Sequence, residues 1–352
     1  MAENLPPRDV NDEPVGAGRP PVDPNAEFLG DQGQQPGLTI DAVTPGGEDI
    51  VTGGRPEGPE GPDHEFTVQA RSQWRQVLRR FRQHKLAVIS LFVLLLVILF
   101  AFVGAPIWHY EPNKFTDDFS VPPSAKHPFG TDSNGADHMA QVMAGTQLSL
   151  KIAFFVSIVG TLFGSIYGAV SGYYRGITDT LMMRLVDLVL TIPALAVGAL
   201  LGKRFGNNWL LLAMVLAGLL WTGSARVVRG QVLSVREKEY VEAARALGAS
   251  DKRIIFRHII PNVAGPIIVL FTLLVAAAVL TETALSYLGF GVQFPDISLG
   301  SLITSGETAA SGGRGWLFYF PGLFIILIAL TVNFIGDGLR DALDPTQTKA
   351  RA

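Results

Sequence analysis

Leu86-Ala87-Val88-Ile89-Ser90-Leu91-Phe92-Val93-Leu94-Leu95-Leu96-Val97-Ile98-Leu99-Phe100-Ala101-Phe102-Val103-Gly104-Ala105-Pro106-Ile107 contains no charged residue and a single hydroxyl. At about 1.5 Å of rise per residue a helix of this length crosses a hydrocarbon core of about 30 Å. In lipid every backbone polar group must be satisfied within the segment, which selects a helix over an open strand. The run has no polar face, so it is expected at the edge of a bundle, against lipid.

Upstream, Arg71–Lys85 places Trp74, Arg75, Arg79, Arg80, Phe81, Arg82 and Lys85 directly before the span. That spacing permits an amphipathic helix on the inner leaflet, whose anionic lipids attract such residues by roughly 1 kcal/mol each. A nucleic-acid patch is the competing reading, and the adjoining span argues against it. Further out, residues 1–70 carry 14 Asp/Glu against 3 Lys/Arg, with 11 Pro and 11 Gly. Such a segment buries too little apolar surface to offset its ordering entropy, so a disordered acidic tail is expected. It has neither the basic start nor the apolar core of a signal peptide. A regulatory arm and a plain solvated tail both fit it.

Downstream, five more apolar segments follow: Ile152–Gly172, Leu185–Leu201, Trp209–Ala225, Val263–Thr281 and Trp316–Ile335. Several are short or broken by Pro and Gly, which suits the interior of a bundle, where neighbours satisfy freed backbone groups. The fold class is therefore an all-α membrane protein with six transmembrane helices. A mean hydropathy of +0.31 agrees, as do 17% charged residues against the usual quarter. The absence of cysteine excludes disulfides, iron–sulfur clusters and thiolate zinc sites.

Loop charge orients the bundle. With the N-terminus inside, near-membrane cytoplasmic segments hold 19 Lys/Arg and external ones 6. Lys203-Arg204 is the local exception. Both termini are thus expected in the cytoplasm, together with residues 226–262.

That cytoplasmic loop has a plan. Tyr240, Ala243, Ala244 and Leu247 recur at helical spacing as one apolar face, with Glu239, Glu242 and Arg245 away from it. Gly248 ends this helix, since glycine tolerates the left-handed cap conformation. Ser250 is placed to cap a second helix with Asp251 in its first turn. That helix groups Ile254, Ile255 and Ile259, leaves Lys252, Arg253 and Arg257 polar, and is expected to stop before Pro261. Two short helices around a glycine make either a knob for another protein's groove or an ordinary surface loop.

Elsewhere, Gly160, Gly164, Gly168 and Gly172 form one stripe on the second span, with Ser157, Thr161 and Ser165 beside it. Close packing within the bundle or across a subunit interface is expected, with a pore-lining face as the alternative. Asp187 and Glu282 are ionisable groups near spans, where charge is expensive and suggests function. Asp187 has Arg184 or a neighbouring subunit as possible partner. Glu282 suits either the ammonium group of a substrate or a structural hydrogen bond to the Leu285–Gly289 turn. His127, Asp132, Asp137 and His138 have no tight metal-ligand spacing. No catalytic nucleophile–base pair stands out, and no Gly-x-x-x-x-Gly-Lys-Ser/Thr phosphate loop is present.

Several stretches together resemble the second permease subunit of dipeptide/oligopeptide/nickel-type ABC importers, over roughly residues 70–345. They are the basic stretch before the first span, His127-Pro128-Phe129-Gly130-Thr131-Asp132, and Glu239 through Ala249. Arg257-His258-Ile259-Ile260-Pro261-Asn262, Leu285-Ser286-Tyr287-Leu288-Gly289 and Gly336-Asp337-Gly338-Leu339-Arg340-Asp341 complete the set. The chain departs from the family at Ala136 and Gln147, where arginines are usual, and in its long acidic extension.

The resemblance implies a type I ABC importer permease fold in the bacterial inner membrane. It divides the chain into a tail (1–70), a basic segment with the first helix (71–108), an external loop (109–147), a transmembrane domain (148–338) and a C-terminal tail (339–352). It also implies the partners: a second homologous permease, two ATPase domains that bind ATP and Mg, an extracytoplasmic binding protein and the bilayer, with no nucleic acid. No cofactor belongs to this chain. Coupling to the ATPases would fall to Glu242, Ala243, Ala244, Leu247, Gly248, Ser250, Ile255, Arg257, Ile260 and Pro261. Peptides are the expected cargo, with nickel or another small solute as alternatives. A self-contained secondary transporter or channel would instead show inverted repeats and midplane charges, and neither is evident here.

Overall fold

The computed structural model describes residues 73–205 and 208–343; the acidic segment 1–70 and the last nine residues lie outside this range. The helices are α1 (Gln73–Gln83), α2 (Lys85–Leu99), α3 (Ala105–Ile107), α4 (His138–Tyr174), α5 (Gly176–Thr191) and α6 (Ala194–Phe205). They continue with α7 (Trp209–Val235), α8 (Glu239–Ala246), α9 (Asp251–Arg253), α10 (Ala264–Tyr287), α11 (Leu299–Ser311) and α12 (Trp316–Leu343). No strand occurs among the described residues, only two isolated bridges, Phe115 with Ala136 and Thr131 with Asp137.

Five helical stretches are long and apolar enough to cross a membrane: Lys85–Ile107, His138–Tyr174, Trp209–Val235, Asp251–Tyr287 and Trp316–Leu343. The segment expected as the third span is instead a bent pair, α5 and α6 meeting at an angle of 75°, the geometry of a broken span or a re-entrant loop. Pro193 lies at that break; it has no N–H to donate and disfavours helix at the residue before it.

The first span buries one stripe, Ala87, Ser90, Leu94, Val97 and Ala101, at alternating steps of three and four. Leu86, Ile89, Phe92 and Leu96 are exposed on its other sides, the pattern of a peripheral helix facing lipid. The stripe runs along α12, where Gly338 lies directly against Ala87 and Phe81. Phe81 belongs to α1, so the basic helix is pinned to the end of α12 through Phe81, Ala87 and Ala342.

Several helices outrun their apolar segments. The second span starts at His138, not near Ile152, because the Asp137 carboxylate accepts the Ala140 N–H at 2.8 Å and caps it there. Hence residues 138–147 of the expected external loop are helical. The fourth span runs on to Val235, which takes residues 226–235 out of the expected loop, and α12 continues to Leu343. In each case the polar extension projects beyond the hydrocarbon, where hydropathy gives no boundary.

α11 has no counterpart among the six apolar segments. It opens with a reciprocal cap between Ser298 and Ser301 and buries Leu299, Leu302, Ile303 and Ala309. The main core unites Val156, Leu216, Val279, Leu299 and Ile328 from α4, α7, α10, α11 and α12. A second, separate core joins the C-terminal ends of α4 and α7 to residues 241–263.

Candidate coupling surface and membrane polar groups

The cytoplasmic loop forms a knob on that second core. α8 stands on one residue, Val241, at 0% exposure. The apolar face read from the spacing points away from it: Tyr240 and Ala243 are exposed, Ala244 is half-buried, and Leu247 is 88% exposed. Partial burial of the Tyr240 ring pushes its phenol up from the ordinary value of 10.0. Glu242 is exposed beside this face.

Gly248 adopts φ +78°, and the turn closes with Gly248 N–H donating to Arg245 O at 3.0 Å and Ala249 N–H to Ala244 O at 3.0 Å. Ser250 occupies the cap position of the second helix, but its side chain makes no capping bond. Its carbonyl accepts from Ile254 N–H at 2.9 Å instead.

Nor does the second helix stop before Pro261. It passes through a π-helical turn (Ile254–Ile259) and a 3₁₀ turn (Ile260–Val263) directly into α10. Pro261 sits in the first positions of the tighter turn, where its missing N–H has no partner to lose. Ile254, Ile255 and Ile259 point into the second core. Ile255 is thus part of the footing of the knob and Ile260 is half-buried, while Arg257 and Pro261 are exposed. Phe256, an exposed aromatic on this segment, was missed in the sequence. Its signal was a large apolar residue next to Arg257 on the otherwise polar side.

The glycine stripe meets α7 within the same chain. A Cβ at Gly164 would lie 2.6 Å from Trp221 O, and one at Gly172 would lie 2.9 Å from Arg229 O. At Gly168 it would overlap Ala225 O, whereas at Gly160 it would meet the Leu274 side chain of α10 at 2.9 Å. Small residues therefore let α4 and α7 touch backbone to backbone.

The two ionisable candidates for a substrate path both have partners within the chain. Glu282 is fully buried. It accepts from Ser286 Oγ at 2.7 Å and from Ser149 Oγ at 3.3 Å. Ser149 Oγ in turn accepts from Leu299 N–H at 3.1 Å. The carboxylate thus ties α4 and α10 to the start of α11, and its oxygens are taken up by hydroxyls. Asp187 pairs with Arg226 of α7 at 2.5 Å, and only distantly, at 4.0 Å, with Arg184. Open space lies elsewhere, in a groove of about 550 Å³ between α7, α10 and α12 lined by Val227, Gln231, Pro266, Leu270 and Arg340.

On the external side, His127 lies between two carboxylates, with Nδ1 2.7 Å from Asp137 and Nε2 3.2 Å from Asp118. Trp108 Nε1 donates to Asp137 at 3.0 Å, and Lys126 pairs with Asp118. The Lys126 ammonium, then His127, holds the Asp118 carboxyl below its ordinary 3.8, and Asp118 holds Lys126 above 10.5. Asp132 closes its own turn, accepting from Asn134 and Ala136 N–H at 2.8 and 2.9 Å. Ala136 is buried in this turn, and Gln147 donates to Ala101 O at 2.6 Å, tying α4 to the first span.

Residues 160–349, more than half of the chain, match the family of binding-protein-dependent transport system inner membrane components. The chain belongs to this family. Residues 72–123 of this permease also match the N-terminal transmembrane domain of oligopeptide transport permease C. It is similar to the oligopeptide transport system permease protein OppC of Mycobacterium tuberculosis, 43% identical over 280 residues, covering 78% of this chain and 95% of that protein. The Escherichia coli K12 protein of the same name is 40% identical over 281 residues, covering 79% and 93%. The Bacillus subtilis one is 38% identical over 293 residues, covering 82% and 95%. The resemblance first carried by short stretches thus extends over most of the chain, and the permease is a multi-pass inner-membrane transport subunit.

Proposed function

We propose that this permease is the membrane-spanning half of an ATP-driven importer that passes di- or oligopeptides inward by alternating access. The reading is carried by the α8 knob: an apolar face of Tyr240, Ala243 and Leu247 turned to the cytoplasm above a buried footing. Leu247, at 88% exposure, continues this face with Tyr240 and Ala243 on an otherwise polar loop, the kind of contiguous apolar patch that a partner covers. ATPase domains, which carry the ATP and Mg, would seat this face in a groove, and their closure would rock the spans. A second homologous permease would complete the pathway, and an extracytoplasmic binding protein would deliver the cargo. Peptide cargo is supported by the relatives, whose names specify oligopeptide transport.

The test is purification from mild detergent with identification of bound partners. Unsubstituted permease is expected to retain an ATPase. Leu247→Asp is expected to insert normally and lose it, by roughly 100-fold in affinity if Leu247 anchors the contact. Retention of the ATPase by Leu247→Asp would overturn the docking reading. Cargo is tested separately, by measuring which ligand the binding protein takes up.

A further inference from the structure

The knob is joined covalently to α7 through residues 236–238 and to α10 through the continuous helix Asp251–Tyr287. α4 reaches it only by non-covalent contacts, and one residue makes several of them. Tyr173, in the last turn of α4, is nearly fully buried in the second core beside Val232, Ile254 and Ile255. Its hydroxyl donates to Asp251 Oδ1 at 2.7 Å. The Arg245 guanidinium of α8 lies 5.8 Å from its ring centroid. Its backbone carbonyl accepts from Arg236, just beyond α7.

Behind Tyr173, α4 and α7 are tied together through the start of α5. Its Asp179 accepts from two guanidinium nitrogens of Arg229, at 2.5 and 2.6 Å, and from Ser171 Oγ at 2.5 Å. Arg175 pairs with Glu237 at 2.7 Å. The glycine stripe extends this lock along the span.

We infer that Tyr173 is a positioning residue that makes α4 move with the knob, its hydroxyl–Asp251 bond being a directional link between α4 and the second knob helix. The inference rests on the docking reading and adds to it the route by which a displaced knob carries α4 along with the two spans it is joined to. Packing alone would let α4 slide over Ile254 and Ile255; a directional bond to a carboxylate resists that motion.

The experiment uses the assembled transporter in proteoliposomes and compares ATP hydrolysis without and with its binding protein. Tyr173→Phe retains the ring and its packing and removes only the hydroxyl. Basal hydrolysis and ATPase association are expected to stay near the unsubstituted level, while stimulation by the binding protein falls roughly tenfold or more, the scale of one hydrogen bond to a charged group. Asp251→Ala, which also removes the interaction with Tyr174, is expected to fall at least as far, and the double variant to be no worse than Asp251→Ala alone.

Unchanged stimulation in Tyr173→Phe overturns the inference. So does a parallel fall of basal hydrolysis and ATPase association, which marks a merely structural residue, or a double variant whose losses multiply. Leu247→Asp keeps the two readings apart. If it retains the ATPase, the docking reading fails; if it releases the ATPase while Tyr173→Phe stays fully stimulated, the Tyr173 link alone fails.

Discussion

Gly248 is fixed by backbone conformation and not by space. Its φ is +78° and nothing lies within 4 Å of where a Cβ would be. Gly248→Val therefore meets no clash, and its cost is the left-handed backbone, about 1–2 kcal/mol. The variant is expected to insert in the membrane at normal levels while its α8–α9 turn reopens, read as faster amide exchange over 239–253 and weaker ATPase retention. Normal exchange there would remove the conformational argument. On the external side, Asp118 has a depressed carboxyl, so its contribution is present above the unfolded value and is lost as pH falls through the folded one. Lys126 is raised, so its contribution is present below its unfolded value and lost as pH rises above the folded one. Loop 115–137 is thus expected to hold from weakly acidic to weakly alkaline pH and to loosen below the ordinary 3.8 of Asp118. Amide exchange against pH checks this, and Asp118→Asn should raise neutral-pH exchange while flattening the acid limb.

At the scale of elements, the α4–α7 contact makes the sharpest demand. Gly168 faces Ala225 O with no room for a methyl group. Gly168→Ala must push two helices apart and is expected to cost roughly 1–3 kcal/mol, seen as a lower Tm in detergent. Gly218, with open space around its Cβ position, serves as the control and should tolerate alanine. The stripe itself was legible from its spacing of four, but its neighbour was not, because periodicity identifies a face and never what lies opposite. α11 was invisible for a related reason: its Ser, Thr and Gly residues dilute the hydropathy, while its burial depends on Ser149 and Glu282, distant in sequence. Those two residues give a further prediction. Glu282→Ala strands the hydroxyls of Ser286 and Ser149 in the core, and is expected to cost about 1–3 kcal/mol and to loosen residues 288–311 in amide exchange. An unchanged exchange pattern would mean that the carboxylate does not hold α11.

For the molecule as a whole, hydropathy was enough for the class and for the apolar segments, which became five long helices and one bent pair. Boundaries drifted wherever a polar helix end outran the apolar run, as at His138–Lys151 and Arg226–Val235. The apolar face of α8 was legible as a pattern, Tyr240, Ala243 and Leu247, yet its outward direction was not. That direction depends on Val241, one isolated residue whose burial requires α4 and α7 to be in place. The same limit applies to Glu282 and Asp187, whose partners on other helices no local pattern names.

The unbroken helix Asp251–Tyr287 has one end at the knob and the other at the Glu282 cluster under α11. Its 37 residues measure roughly 55 Å at the usual rise, longer than a hydrocarbon core of about 30 Å. Linkage through such a rod is reciprocal in equilibrium terms. Whatever favours one position of α11 outside must alter the affinity for an ATPase inside by the same factor that the ATPase alters affinity outside. The permease would then carry messages in both directions with a single part, and a ligand-loaded binding protein would tighten or loosen the grip of the ATPase before any ATP is split.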